Sequence, residues 1–422
     1  MNRNPIAGSG AARRSSRTRR GISAALTGLV LVLVTACGGG DSDSGENDGK
    51  NGDAAPAAKK VSQAVVSISP KDGADGVATE NALKITASKG TLVTVKVADS
   101  AGKPVEGELS GGDTVWKPKG TLRTQTKYTV NAIAKDAAGL QSAKTATFTT
   151  VVPANTFVGY FTPEDGQTVG VGMPVSINFN RPIQNREAVE KGIEVTADPP
   201  VDVQGHWFGN QRLDFRPEDY WAAGTKVTLS LRLDGVQAAD GVYGKQAKDV
   251  SFTVGRRQVS TVDAATHKMT VERDGSVIKT IPITSGAPGN PTWNGRMVIT
   301  EKLKVTRMNG ATVGFTDNDG KGEYDIKDVP HAMRLTTSGT FMHGNYWAGA
   351  PTFGSANVSH GCVGLQDVRG AGNNAMPAAW MFNNSIIGDV VVVKNSKEKT
   401  VRPDNGLNGW NLSWSEWTAP QS

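Results

Sequence analysis

The 422-residue sequence predicts a mainly β fold of several domains. The chain is too long for one small core. Short alternating runs such as Thr126-Lys127-Tyr128-Thr129-Val130 are common, while long apolar stripes of helical period are scarce. A strand-rich segment also recurs once along the chain.

Taken in order, residues 1–36 read as a signal peptide. A basic start is followed by the apolar run Ile22 to Ala36, which is too short to span a bilayer comfortably as a helix. The run ends Leu33-Val34-Thr35-Ala36-Cys37, and small residues before a Cys at this place resemble the lipobox of bacterial lipoproteins. The resemblance implies that Cys37 is lipidated, anchoring the mature chain to the outer face of the cytoplasmic membrane. The formal charge of +6 belongs to this segment: Arg3, Arg13, Arg14, Arg17, Arg19 and Arg20 precede residue 21, and no Asp or Glu precedes Cys37. The remainder is close to neutral, so no nucleic-acid partner is expected. Residues 37–60 are Gly, Asp, Ser, Asn, Ala and Lys with almost nothing apolar, the composition of a flexible tether.

The recurring segment lies next. Trp116-Lys117-Pro118 precedes Thr126-Lys127-Tyr128-Thr129-Val130, and Phe215-Arg216-Pro217 precedes Thr225-Lys226-Val227-Thr228-Leu229 at an offset of 99 residues. Each copy closes on a similar strand, Ala146 to Thr150 and Val250 to Val254. The offset matches one immunoglobulin-sized sandwich, which predicts two in tandem over 61–152 and 153–256. Neither holds a Cys pair. Within the second, His206-Trp207 reads as a packed strand pair rather than a ligand site. The two sandwiches together read as a spacer that lifts a third domain off the membrane.

That third domain is expected over 257–394. Asp274-Gly275 between Thr270–Arg273 and Val277–Ile283 signals a hairpin. Strand-like runs lie at Met297–Thr300, Met333–Thr337 and Ile386–Val393, with a short helix over Ala375–Asn383. Residues 303–332 are rich in Gly, Asn, Asp and Lys, long for a plain loop, and read as a lid. The tail 395–422 carries Trp410, Trp414 and Trp417, spaced for one helical face. Docking onto a neighbouring domain accounts for them better than a sugar-stacking platform.

Unusual chemistry concentrates in two segments of the third domain, Ser338-Gly339-Thr340-Phe341-Met342-His343-Gly344 and Ser359-His360-Gly361-Cys362-Val363-Gly364-Leu365. If Cys37 is lipidated, Cys362 has no partner within the chain, and an exported protein usually pairs its thiols or avoids them. A thiol needs a base, and an imidazole supplies one; a thiolate–imidazolium pair then lowers the thiol pKa. A Gly before the Cys permits a sharp turn and brings a substrate carbonyl near backbone N–H groups. The local sequence leaves open whether His343 or His360 is the base. Two His and one Cys would make a poor zinc site without a second Cys or a His-Glu-x-x-His run, so no metal or other cofactor is expected.

His343, fifteen intervening residues, then Ser359-His360-Gly361-Cys362 resembles the signature of YkuD-type L,D-transpeptidases. Ser285-Gly286, Pro291-Thr292-Trp293-Asn294-Gly295 and Ser338-Gly339 add to the likeness, which covers about 257–394. The lipobox, paired immunoglobulin-like domains and C-terminal extension resemble actinobacterial members. The resemblance implies a β-sandwich-like catalytic core with small helices. Cys362 would be the nucleophile and His343 the general base, with His360 and Ser359 supporting the site. Amides around Gly361 and Cys362 would form the oxyanion hole. Tyr324, Ser338 and Gly339 would contact the donor peptide. Many relatives carry Asn or Arg two residues after the Cys, whereas this chain has Gly364, so a side-chain contact to substrate is missing there or supplied from elsewhere. The implied reaction is 3→3 cross-linking of peptidoglycan stem peptides, serving wall biogenesis and cell shape, with carbapenem-type β-lactams as covalent inhibitors. Two other readings stand beside it: an L,D-carboxypeptidase with the same site, and a non-catalytic, lipid-tethered wall-binding protein.

Overall fold

Strands dominate because alternating sequences bury alternate side chains. In the computed structural model, which describes residues 60–316 and 318–421, the strand Lys127–Lys135 turns Tyr128, Val130, Ala132 and Ala134 inward and leaves Lys127, Thr129 and Asn131 in solvent. The signal-like segment, Cys37 and nearly all of the tether lie outside the described residues.

The first sandwich packs the sheet of Val65–Ser69, Lys84–Ser88, Val115–Pro118 and Gly107–Ser110 against that of Ala74–Val77, Gln141–Thr150, Lys127–Lys135 and Thr91–Asp99. Ile85, Trp116, Val130 and Phe148 fill the space between. The second places Gly159–Thr162, Val175–Phe179, Arg212–Arg216 and Gln204–Phe208 over Thr168–Val169, Ala247–Val254, Lys226–Arg232 and Ile193–Asp198. The repeat seen in the sequence is thus a repeat of pairing. Lys127–Lys135 runs antiparallel to Gln141–Thr150, as Lys226–Arg232 does to Ala247–Val254. In both copies a short strand adds in parallel to the outer side, Ala74–Val77 and Thr168–Val169.

The third region is one nine-stranded sheet. Its order is Gly295–Val298, Val390–Lys394, Gln258–Asp263, Lys268–Arg273, Ser276–Thr284, Val363–Gln366, Phe341–Asn345, Asp325–Arg334, Glu301–Asn309. Asp274 and Gly275 both take positive φ, 49° and 83°, which is the turn that an Asp-Gly hairpin demands. The helix Pro377–Asn384 buries Ala378, Ala379 and Met381 against the sheet.

Residues 303–332 differ from a loop-like lid. Glu301–Asn309 and Asp325–Arg334 pair along almost their whole length, from Glu301 opposite Arg334 to Asn309 opposite Asp325. The pairing shifts register between Thr306 and Met308, and the tip carries a 3₁₀ turn at Gly310–Val313. Glu301–Asn309 is the edge strand and is half-buried to exposed along its length, while Val329 to Met333 of its partner are buried on both faces, so neither strand shows a simple apolar alternation.

The second sandwich and the third region share a core. Val298, Val390 and Trp410 join the apolar cluster of the second sandwich. Gly170 and Gly172 donate N–H bonds to the carbonyls of Ile387 and Gly388, at 2.8 and 3.0 Å. A Cβ on Gly170 would lie 2.2 Å from the Asp389 nitrogen, so the two backbones can meet only at glycine. Beside this contact Arg256 binds both oxygens of the buried Asp389 carboxylate at 3.0 Å, while burial pushes that carboxyl up.

The tail docks. Arg216 lies 4.8, 5.4 and 4.3 Å from the rings of Trp410, Trp414 and Trp417. Trp410 and Trp417 donate their indole N–H groups to the carbonyls of Gly172 and Gln204. His206 stacks on Trp417 at 4.7 Å and binds the Trp417 carbonyl through Nδ1 at 2.9 Å, which makes it a packing residue.

Candidate active site

Two adjacent parallel strands carry the chemistry. Phe341–Asn345 pairs with Val363–Gln366 in a register that sets His343 beside Gly364. Side chains alternate along a strand, so His343 and Asn345 share one face. Cys362, just before the second strand, shares that face with Gly364. His343, Asn345 and Cys362, together with Met308, Tyr324, Ile326, Trp347, Val358, Ser359 and His360, line a cleft with about 580 Å³ of empty space.

The turn before Cys362 is held by its own side chains. Ser359 Oγ donates to the Cys362 carbonyl at 2.6 Å and accepts the Gly361 N–H at 3.2 Å. Gly361 has φ +111°, while a Cβ there would meet nothing closer than 3.8 Å. Backbone conformation alone therefore requires glycine at this position. Since the Gly361 N–H is engaged by Ser359, the oxyanion donors implied at Gly361 and Cys362 are not both free. The Phe341 N–H meets the thiol directly, 3.4 Å from Sγ.

His343 is buried, and its Nδ1 lies 2.9 Å from the Gly344 carbonyl. A carbonyl only accepts, so Nδ1 carries the proton and Nε2 of the neutral ring is the acceptor. Trp347 stacks on the ring at 5.5 Å and 20° between planes, fixing its orientation. Burial holds the imidazole below its ordinary pKa, against the opposing pull of the Gly344 carbonyl.

The thiol corrects an expectation. A thiolate–imidazolium pair would lower its pKa, yet burial pushes Cys362 up to about 11, with the Phe341 N–H offsetting only part. The Sγ–H reaches the Gly339 carbonyl at 3.7 Å. With the thiol raised and His343 lowered, both shifts favour the uncharged forms. Alkylation of Cys362 by iodoacetamide should therefore keep accelerating through about pH 9–10, above the range of a free thiol near 8.5. A rate that levels off by about pH 8 would show a thiolate already present.

The tip of the hairpin covers the other side. His360 contacts Tyr324 at 5.0 Å and Phe315 at 5.9 Å, and its Nε2 lies 3.5 Å from a Glu323 carboxylate oxygen. Tyr324 is pushed up to about 12, first by burial and then by the Cys362 thiolate that forms at alkaline pH, so its hydroxyl stays neutral. Gly339, φ +97°, lies where a Cβ would sit 2.4 Å from Val313 of the tip.

Of the residues singled out from sequence, Cys362, His343, His360, Ser359 and Tyr324 meet at one cleft. Gly361 shapes the turn and Gly339 supplies a carbonyl. Ser338 does not line the cleft: its hydroxyl accepts from Asn405 Nδ2 at 2.8 Å and sits 3.2 Å from Thr336 Oγ1. Gly364 does not itself line the cleft, and a Cβ there would stand 2.7 Å from the Thr284 methyl. Sequence reasoning missed Trp347 and Asn345. The strand period places Asn345 on the His343 face, but nothing in the sequence marks that strand's partner.

Residues 257–393 match the L,D-transpeptidase catalytic domain family, and residues 74–237 match a bacterial Ig domain family. The chain is 32% identical to L,D-transpeptidase 2 of Mycobacterium tuberculosis over 98% of each chain. It is 31% identical to L,D-transpeptidase 5 of the same organism, over 83% of this chain and 75% of that one. Among solved structures, L,D-transpeptidase 3 of Mycobacterium tuberculosis in complex with a faropenem-derived adduct is 28% identical with a TM-score of 0.45, covering 56% of this chain and 97% of that one. A domain match on the cleft-bearing sheet and a relative 32% identical over 98% of each chain place this protein in the L,D-transpeptidase family.

Proposed function

We propose that the chain forms 3→3 cross-links between peptidoglycan stem peptides through a thioester on Cys362, and so serves wall biogenesis and cell shape. Cys362 Sγ attacks the carbonyl of the third stem residue of a tetrapeptide donor while His343 Nε2 takes the thiol proton. The tetrahedral intermediate collapses with cleavage of the amide bond. The leaving D-alanine amine takes the proton from His343, and the thioester remains. The side-chain amine of the third residue on a second stem attacks the thioester and loses a proton to His343; the carbon–sulfur bond breaks, and His343 returns that proton to the departing sulfur, restoring the thiol. The observation that carries this reading is a neutral His343, its tautomer set by the Gly344 carbonyl, lining the same cleft as the thiol. A neutral pair suits it, because the base then removes the proton as the bond to carbon forms.

The same thiol would open the strained ring of a carbapenem-type β-lactam, leaving an acyl adduct on Cys362. The lipobox-like residues support export with a lipid on Cys37, and labelled fatty acid should enter the wild-type chain but not a Cys37→Ser variant. Product analysis of the purified protein tests the reaction. Tetrapeptide stems should yield 3→3 dimers and free D-alanine. Tripeptide alone, formed equally with and without an acceptor stem, would instead mean that water is the acceptor.

A further inference from the structure

The base of the cleft has a polar group that these catalytic steps do not use. Asn345 follows His343 by two residues on the same strand face and is 3% exposed. Its Oδ1 accepts the N–H groups of Trp347 and Ala348, at 3.2 and 2.9 Å, which fixes the amide's orientation. Nδ2 has no protein acceptor among the described residues, yet the residue lines the cleft. Nδ2 opens onto the cleft and is free to donate there to water or to a ligand.

Gly364 explains why the group is available. The position two residues after Cys362 holds no side chain and has no room for one, since a Cβ would meet Thr284 at 2.7 Å. The Asn345 side chain leans into that space, with Cβ and Nδ2 each 3.4 Å from the Cβ position of Gly364. The donor amide thus sits on the neighbouring strand, roughly 7 Å along the sheet from Cys362 at about 3.3 Å per residue.

We propose that Asn345 Nδ2 is a specificity-determining donor that binds an oxygen of the donor stem peptide once its scissile carbonyl lies against Cys362. The assignment rests on the proposed cross-linking reaction and names the subsite that orients its first substrate. The bound oxygen belongs either to the terminal carboxylate or to a backbone carbonyl of the stem; both present the same acceptor to an amide N–H₂.

The test measures acylation of the full chain by two tetrapeptide donors, one with a free terminal carboxylate and one with a terminal amide. Iodoacetamide alkylation of Cys362 reports whether the site is intact. Asn345→Ala should slow acylation by the free-acid donor about tenfold to a hundredfold, the usual effect of removing a hydrogen bond to a charged or polarised group. Alkylation should stay within about twofold. Asn345→Asp keeps the acceptor for the Trp347 and Ala348 N–H groups but cannot donate, and should lose at least as much. If the carboxylate is the bound group, the amidated donor is already slow with wild type and Asn345→Ala slows it no further. If it is a backbone carbonyl, both donors lose equally. Normal acylation by Asn345→Asp with impaired Asn345→Ala would make the residue a turn cap and overturn the inference. So would normal acylation by both variants, or a parallel loss of alkylation. A wild-type chain that neither donor acylates would sink the underlying reaction, and this inference with it.

Discussion

Cys362→Ala is expected to lower 3→3 dimer formation by roughly 10⁴- to 10⁶-fold, the scale seen when the nucleophile of a covalent acyl-transfer site is removed. The fold should survive, because the side chain contributes only weak contacts, with the Phe341 N–H and the Gly339 carbonyl. Loss of activity with unchanged far-ultraviolet dichroism and thermal midpoint would locate the effect in chemistry. Dimers formed at the wild-type rate would remove Cys362 from the reaction.

His343→Gln is the second large effect. An amide cannot take the thiol proton, so donor acylation should fall by about 10²- to 10⁴-fold, the usual contribution of a general base. The wild-type pH profile adds a check on the ring. The proposed mechanism needs neutral His343, and burial holds its pKa below the ordinary histidine value of 6.5. Neutral imidazole is therefore the main form above that lowered value, and kcat/KM should hold as pH falls through the ordinary histidine range and drop only at more acidic pH. In His343→Gln this acidic limb should disappear along with most of the rate. An equal limb in both proteins would assign it to another group. Replacing His360 should cost much less, since its ring faces Phe315, Tyr324 and Glu323 of the hairpin tip.

Local sequence revealed those features that local physics decides. Asp274-Gly275 announced its hairpin because two successive positive φ angles are costly for most residue pairs. The 99-residue offset announced two sandwiches because each copy repeats the same strands in the same pairing. Ser359-His360-Gly361-Cys362 announced its turn because the bonds that hold it lie within four residues.

The features that stayed hidden depend on what packs from afar. Whether a thiol is raised or lowered is set by burial, and the strands that bury Cys362 come from distant segments of the chain. The tautomer of His343 is set by a carbonyl one residue away, but only the folded strand aims that carbonyl at the ring. The three tail tryptophans read as a helical stripe. They instead surround Arg216 from a 3₁₀ turn and a short helix, and the guanidinium they cover lies far back in the sequence, on a strand of the second sandwich. Asn345 is an ordinary strand residue until the fold packs it against Gly364 of the neighbouring strand.

The central claim is a covalent acyl group on Cys362, and intact-mass analysis tests it most directly. The purified full chain is incubated with a tetrapeptide donor and no acceptor, quenched in acid and digested for peptide mapping. The expected result is a mass gain equal to the donor minus its terminal D-alanine, carried by the peptide that contains Cys362 and absent from Cys362→Ala. D-alanine released with no adduct on wild type, or the same adduct on Cys362→Ala, would contradict it.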